Sequence, residues 1–473
     1  MDQSAVEEPA GNPDPRRRYR RMSKEDRSLE HAETPVQTHE LRDVQQTTCI
    51  VVGAGPAGAV LSFMLARKGI EVMLLESHLD FDRDFRGDTL HPSILEVMDE
   101  LGLADRLLQL PHTEMSLVAP PAAAGSRLQF DLHDLKTKFP YIAMMPQARF
   151  LEFITSEAQR FPSYRLVMGA RVEELIEEDG QVRGVRYRAH DGWHEVHALL
   201  VVGTDGRFSR LRKLAGFEPI ASSPPMDVLW LRLSRKPDDS HGLMARFGGG
   251  RVLLFLERED HWQIGYIIGK GTYHEVHAAG LSALRQGIAE SAPDFADRVA
   301  ELSDWKQVSM LSVEANRLPR WYRRGLLLLG DAAHVMSPAG GNGINYAIMD
   351  AAAAANLLTA PLQAGQVTVA DLARVQRRRE WPTRVIQAIV NLMQDRLIKA
   401  ALDPNASFTF PSFLGWPLVR KLPPLLFGFG IRPEHVQQQA RRRPRWLPVS
   451  TGITATIMVL ALAWVIRRLM RRS

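Results

Sequence analysis

The 473-residue sequence contains one cysteine, Cys49. A disulfide framework, a dithiol redox pair and a cysteine-rich metal site are therefore excluded within the chain, no metal is expected, and a buried, inert thiol is the expected state of Cys49. No apolar stretch accompanies the N-terminal cluster Arg16, Arg17, Arg18, Arg20 and Arg21. That excludes a secretory signal, and the many acids around the cluster argue against a transit peptide. Internal repeats and low-complexity tracts are also lacking. Basic excess is missing from most of the chain: eight arginines and no acid follow Glu434, more than the whole formal charge of +5, so the remainder is net acidic. The charge is local, which argues against nucleic acid as a partner and for an electrostatic role at one end.

What is present begins with Cys49-Ile-Val-Val-Gly-Ala-Gly-Pro-Ala-Gly58 and the second apolar run Val72-Met-Leu-Leu-Glu76. A β-branched strand meets a glycine turn, the turn opens an alanine-rich helix, and an acid ends the next strand about 20 residues later, the spacing of a Rossmann dinucleotide site. Gly53 lets the chain turn out of the strand, Gly55 leaves room for a pyrophosphate, and Ala57 and Gly58 let the helix lie close to the sheet. The phosphates are expected on the helix N-terminus and the ribose hydroxyls on Glu76.

The ends read differently. Residues 1–46 are polar and proline-containing and are expected to form a disordered arm. From Leu447 to Ile466 no charge occurs, and arginines flank the run at 441–445 and 467–472. Twenty such residues span a hydrocarbon layer of roughly 30 Å, and Trp446 and Trp464 suit its interfaces, so 446–467 is expected to be a transmembrane anchor in contact with membrane lipid. The arginines on both sides leave orientation undecided; the cofactor argues for a cytoplasmic catalytic body. Phe408 to Gly430 is apolar and interrupted by prolines, compatible with an interfacial segment, a substrate entrance or packing on the body. Between about 371 and 402, Val385, Ile386, Ile389, Val390, Met393, Leu397 and Ile398 recur at helical spacing, with Pro382 placed to open a helix.

Two further stretches repeat the strand-and-turn logic. Leu199-Leu-Val-Val-Gly-Thr-Asp205-Gly206 leads to Arg212, and Leu326-Leu-Leu-Leu-Gly-Asp331 leads through His334, Pro338, Asn342 and Gly343-Ile344-Asn345 into a helix. With all three motifs in this order, the chain over about 47–435 resembles the flavoprotein aromatic hydroxylases of the para-hydroxybenzoate hydroxylase type, the class A flavin monooxygenases. Asn342 stands where that family often has glutamine, and the tryptophan motif and lysine of flavin halogenases are not evident. The single cysteine already excludes flavin disulfide reductases.

The resemblance implies a bound FAD. Asp331 would bond the ribityl chain, Pro338 would lie near the isoalloxazine, and the backbone at Gly343, Ile344 and Asn345 would face the pyrimidine edge. Asp205 would help hold the pyrophosphate side, Arg212 would lie near the nicotinamide route, and Arg86 and Gln147 are similar to cofactor-contacting residues. His334 is read as structural rather than as a proton carrier. A second complete dinucleotide fold is absent, since Gly248-Gly-Gly250 lacks a following helix and distal acid, so NADH or NADPH would visit transiently. Hydride would reduce the flavin, molecular oxygen would add at C4a, and the distal oxygen would pass to a small lipophilic aromatic, quinone-like or polycyclic substrate. Catalysis would lean on the flavin and on substrate ionisation, with no catalytic base assigned. Two alternatives remain at this point: a reductase of isoprenoid lipids and a non-catalytic flavin-binding membrane protein.

The fold implied is α/β, a Rossmann-like FAD-binding domain (47–110, 146–218 and 319–360) interwoven with a β-sheet substrate domain (111–145 and 219–318). C-terminal helices (361–445) and the transmembrane helix would follow. Trp262, Tyr266 and Met226 are candidates to line the substrate cavity.

Overall fold

The computed structural model describes residues 40–82, 89–118, 130–222, 224–239, 242–248, 250–258, 260–338, 341–395, 402 and 422–437. Arg86, Leu397 and Ile398, residues 1–39 of the arm and the stretch 446–467 with its arginine flanks lie outside them. No helix among the described residues is long and apolar enough to cross a membrane.

Six strands form the central sheet, in the order Tyr322–Arg323, Leu326–Leu328, Leu200–Gly203, Cys49–Val52, Val72–Glu76 and Tyr164–Met168. Every pair is parallel except Tyr322–Arg323 with its neighbour. The four inner strands are buried at every position, as a parallel sheet covered on both faces requires; this is why they read as continuous apolar runs rather than alternating ones. Their register sets the site. Val52 pairs with Gly203 and Leu75, and Gly203 pairs with Leu328. The ends of the three motif strands therefore lie in one row at the carboxyl edge, where open α/β sheets bind ligands.

Two helices start from that edge, Pro56–Ala66 and Asn342–Gln363. Between them lies Gly330, at φ 56°, where a Cβ would stand 3.2 Å from that of Ala347 and 3.5 Å from that of Ala57. Ala351 to Ala355 are all buried in the long helix, small side chains that let helix and sheet approach at no rotamer cost.

A second sheet runs in the order Leu243–Gly248, Arg251–Glu257, His261–Gly269, Met226–Ser234 and Ser309–Leu311, with antiparallel neighbours. Its side chains alternate between two faces. Leu229, Leu231, Leu253, Phe255 and Ile264 pack with the helix Leu281–Ser291 and with Phe295. Met226, Val228, Trp230, Val252 and Ile267 form a separate apolar layer on the other face with Val313. Trp262 and Tyr266 belong to the helix-covered face, which corrects their assignment to the cavity. Trp262 is fully buried against Phe255 and Phe295 and donates from Nε1 to Asp239 at 2.8 Å. Strand periodicity separates the two faces but does not say which one a helix covers. Met226 lies on the opposite face, buried.

Two boundaries also differ from expectation. Leu41–Gln46, assigned to the arm, is a strand running parallel to Gly192–His197 at the edge of a four-stranded sheet. Its polar sequence hid it: it is held by backbone pairing, by Asp43 2.6 Å from His194, and by Arg42 donating to the Asp191 carbonyl, rather than by burial. Pro382 lies inside the helix Val369–Met393 instead of opening it. Thr368 starts that helix through a reciprocal cap with Asp371, and a single proline costs the helix the one N–H bond that would reach Arg378. Ile386 and Val390 are buried on its inner face.

Candidate active site

The glycines of the first loop divide into two kinds. A Cβ on Gly53, whose φ is 98°, would stand 2.6 Å from the Thr204 carbonyl oxygen, and one on Gly58 would stand 2.0 Å from the Gly53 carbonyl oxygen and 2.6 Å from the Thr204 hydroxyl. Both are required by the protein itself: Gly58 presses on the loop and on Thr204. Thr204 Oγ1 in turn donates to the Val52 and Gly53 carbonyls at 2.9 and 2.7 Å, riveting the second motif to the first. Gly55 is different. It caps the helix Pro56–Ala66, and a Cβ there would meet nothing within 4 Å. Next to it, the buried Glu76 accepts from the Ala54 N–H at 2.8 Å with one oxygen and from the His78 N–H at 3.0 Å with the other. Ala57 is buried in the first turn.

The start of the long helix repeats the division. Gly341 caps it at φ 63°, with the Thr89 hydroxyl 2.8 Å from where a Cβ would be, while a Cβ on Gly343 would meet nothing within 4 Å. Asn345 Oδ1 accepts from the His91 N–H at 3.0 Å, and its Nδ2 donates to the Gly341 and Thr89 carbonyls at 3.0 and 3.3 Å. Thr89 Oγ1 donates to the Gly341 carbonyl at 3.1 Å. The Asn345 side chain thus positions the turn, and Ile344 packs into the main core. What remains for a ligand is the open end of a 22-residue helix, a positive pole of about half an elementary charge. Pro338 is exposed at the preceding turn, and its carbonyl accepts from Gly341 N–H at 3.0 Å.

Asp205 caps a short helix: its carboxylate accepts from Ser209 Oγ at 2.6 Å and the Leu211 N–H at 3.0 Å. Burial pushes its carboxyl above the usual range despite those bonds. The Arg212 guanidinium donates to the carbonyls of Arg207, Asp331 and Ala332, which ties the second motif to the third. Asp331 is half-buried in the turn Gly330–Ala332. Gln147 begins the helix Gln147–Ala158, three residues after Met144, which pairs with Thr89.

His334 is fully buried, 2.6 Å from Asp350 through Nε2 and with its ring 4.9 Å from that of Trp321. Asp350 also accepts from Arg379 Nε at 2.9 Å and the Gly330 N–H at 3.2 Å. Burial acts to raise the Asp350 carboxyl, and His334 and Arg379 outweigh it and hold it low. This structural role fits the sequence reading of His334.

A single FAD fits these residues. Its pyrophosphate would take the Gly55 helix end, its ribose the neighbourhood of Glu76, and its ring the Gly343 helix end; a Cβ on either glycine would meet no described atom within 4 Å. A family model described as an FAD binding domain matches residues 46–388. The chain is 33% identical over 374 residues to the 6-methylpretetramide 4-monooxygenase of Streptomyces rimosus, covering 77% of this chain and 89% of the relative. The chain belongs to the FAD-dependent class A monooxygenases. A digeranylgeranylglycerophospholipid reductase of Methanopyrus kandleri is 25% identical over 70% of this chain and 85% of its own length. The fold is shared with the anhydrotetracycline hydroxylase of Streptomyces rimosus at a TM-score of 0.64 and 22% identity, over 81% of this chain and 76% of that one.

Several residues that build this monooxygenase site escaped the sequence reading, namely Thr89, Thr204, Asp350 and Arg379. His91, two residues after Thr89, escaped it as well. It is buried, with Nδ1 2.5 Å from the Phe427 carbonyl, and burial pulls its pKa down from 6.5 to about 4, the bond to Phe427 opposing. Phe427 O can only accept, so Nδ1 carries the proton and the ring is neutral at pH 7. Its contribution to stability is complete above pH 6.5. It is lost as pH falls from there towards 4, because the unfolded chain takes up a proton that the folded one refuses. Denaturant titrations at pH 7.5 and 4.5 should show wild type losing up to about 3 kcal/mol more than His91→Gln across this window. Equal losses in both proteins would mean that the ring is not buried as described.

Proposed function

We propose that this monooxygenase takes electrons from NADH or NADPH and hydroxylates a lipophilic, polycyclic aromatic phenol. One arrangement carries the reading: Gly341, which caps the long helix, is bonded to Thr89, the strand partner of Met144, and Met144 belongs to an apolar cluster against which Leu256 of the second sheet packs. A flavin ring placed at that helix end would have apolar side chains next to it. The relative named for 6-methylpretetramide and the fold neighbour named for anhydrotetracycline support a substrate of several fused rings. When bound, FAD supplies the redox chemistry, taking a hydride from the nicotinamide and, with dioxygen, delivering one oxygen atom to the ring.

The chain's own contribution is placement. The N–H groups at the start of the long helix stabilise negative charge on the pyrimidine edge of the reduced ring. Gly55 and its helix hold the pyrophosphate. The apolar layer of the second sheet excludes water from the reacting atoms and presents a substrate by shape. No base for the substrate phenol is assigned among the described side chains.

Under this reading, NAD(P)H oxidation by the yellow holoenzyme rises on adding a polycyclic phenol, and under ¹⁸O₂ the product carries one labelled oxygen. Consumption of NAD(P)H with reduction of a polyprenyl double bond and no oxygen uptake would replace it with the lipid-reductase reading that the second relative suggests. The uncharged run 447–466 further supports a membrane-anchored enzyme. Chain truncated after 445 should then leave the membrane fraction with its turnover of soluble phenols intact.

A further inference from the structure

The segment 422–437 is tied by hydrogen bonds to His91 and to the helix Val369–Met393. Its helix Leu422–Phe429 ends at Gly430, φ 66°, whose N–H donates to the Leu426 carbonyl at 2.9 Å. Gly428 is buried so closely that a Cβ would stand 2.6 Å from Leu135 and 3.4 Å from Pro92. The Phe427 carbonyl is held by His91, the residue whose N–H is taken by Asn345 at the head of the long helix. Beyond the helix, Arg379 donates to the Arg432 carbonyl at 3.2 Å, and Arg378 holds Glu434 with two bonds of 2.7 and 3.0 Å.

So anchored, the helix packs its side chains against two apolar clusters. Leu426 packs with Met336 and Tyr346, on the long-helix side. Leu425 and Phe429 pack against the apolar cluster of Met144, whose strand pairs with Thr89, and Leu256 of the second sheet packs against that same cluster. Leu425 and Phe429 are only half-buried, while Gly428 between them is closed. Side chains that bridge two sheets, remain partly open and hang from a backbone fixed at several points form a wall rather than a core. We propose that the helix Leu422–Phe429 is the outer wall of the substrate chamber and that Leu425 and Phe429 determine which ring systems enter it. The proposal rests on the polycyclic-phenol reading above.

Cys49 makes a direct test possible. It is the one native thiol, fully buried, and burial pushes it up to about 12, so it does not compete for alkylating agents. Full-length holoenzyme carrying Phe429→Cys, or separately Leu425→Cys, is treated with N-ethylmaleimide, with and without the four-ring phenol 1-hydroxypyrene. The flavin spectrum is recorded alongside. At about ten times the Kd of the phenol, both variants should be alkylated about tenfold more slowly, and the flavin bands should shift. A flavin shift with unchanged alkylation would overturn the wall and leave the substrate reading standing. Protection without a flavin shift would overturn it too, because the ligand would then lie away from the ring. Neither response would overturn the wall and the polycyclic-phenol reading together.

Discussion

Gly55→Val yields folded, colourless protein, whereas Gly58→Val, three residues along the same loop, fails to fold. The difference follows from what each Cβ meets. At position 55 no atom lies within 4 Å and φ is −68°, which valine adopts readily. The new side chain occupies space that the pyrophosphate needs, and a loss of about a hundredfold or more in FAD affinity, roughly 3 kcal/mol, is expected. At position 58 the obstacles are the Gly53 carbonyl at 2.0 Å and the Thr204 hydroxyl that rivets the loop. Overpacking a core ordinarily costs about 1–3 kcal/mol, and here the neighbour is backbone with nowhere to move. Absorbance near the flavin band, taken with circular dichroism, separates the two outcomes. Stoichiometric FAD on purified Gly55→Val would place the pyrophosphate elsewhere.

That contrast also shows which parts of the site could be read from sequence. The three motifs were legible because their chemistry leaves few options. A strand buried on both faces must be apolar throughout, and a helix end that meets phosphate must shed its Cβ. Leu41–Gln46 was illegible for the opposite reason: an edge strand held by backbone pairing carries no apolar pattern. Trp262 was misplaced because alternation assigns a side chain to a face without naming what covers it. The same limit left 408–430 open between an interfacial segment, a substrate entrance and packing on the body, because the cluster of Met144 against which Leu425 and Phe429 pack lies far away in sequence. Asp350 left one trace, a lone acid heading a run of five alanines in a helix otherwise suited to burial. Such an acid requires buried partners, but nothing in its neighbourhood names His334 or Arg379.

Asp350→Ala should be the most destabilising change that touches no ligand. Asp350 is fully buried, and its two oxygens serve Arg379, His334 and the Gly330 N–H. Removing it strands the Arg379 guanidinium, 1% exposed, with the Arg432 carbonyl at 3.2 Å and Glu434 at 3.5 Å as its remaining hydrogen-bond partners among the described residues. Breaking a buried ion pair from one side costs about 3–5 kcal/mol, because the surviving charge has lost its nearer counter-charge without regaining water. Replacing both members behaves differently. Asp350→Leu with Arg379→Met removes the stranded charge and should recover most of that loss of about 3–5 kcal/mol relative to the single variant, even though it deletes more polar contacts. The double variant still lacks the acceptor for Gly330, the residue wedged between Ala57 and Ala347 under both cofactor-binding helix ends. It should therefore regain stability without regaining full FAD affinity. In the wild type, the Asp350 carboxyl is held below its ordinary range, so its share of stability is complete above about pH 4 and is lost as pH falls further. Urea titrations of the three proteins at pH 7 and FAD titrations of the apo forms test both halves. A double variant that binds FAD as tightly as wild type would reduce the buried pair to a purely structural element.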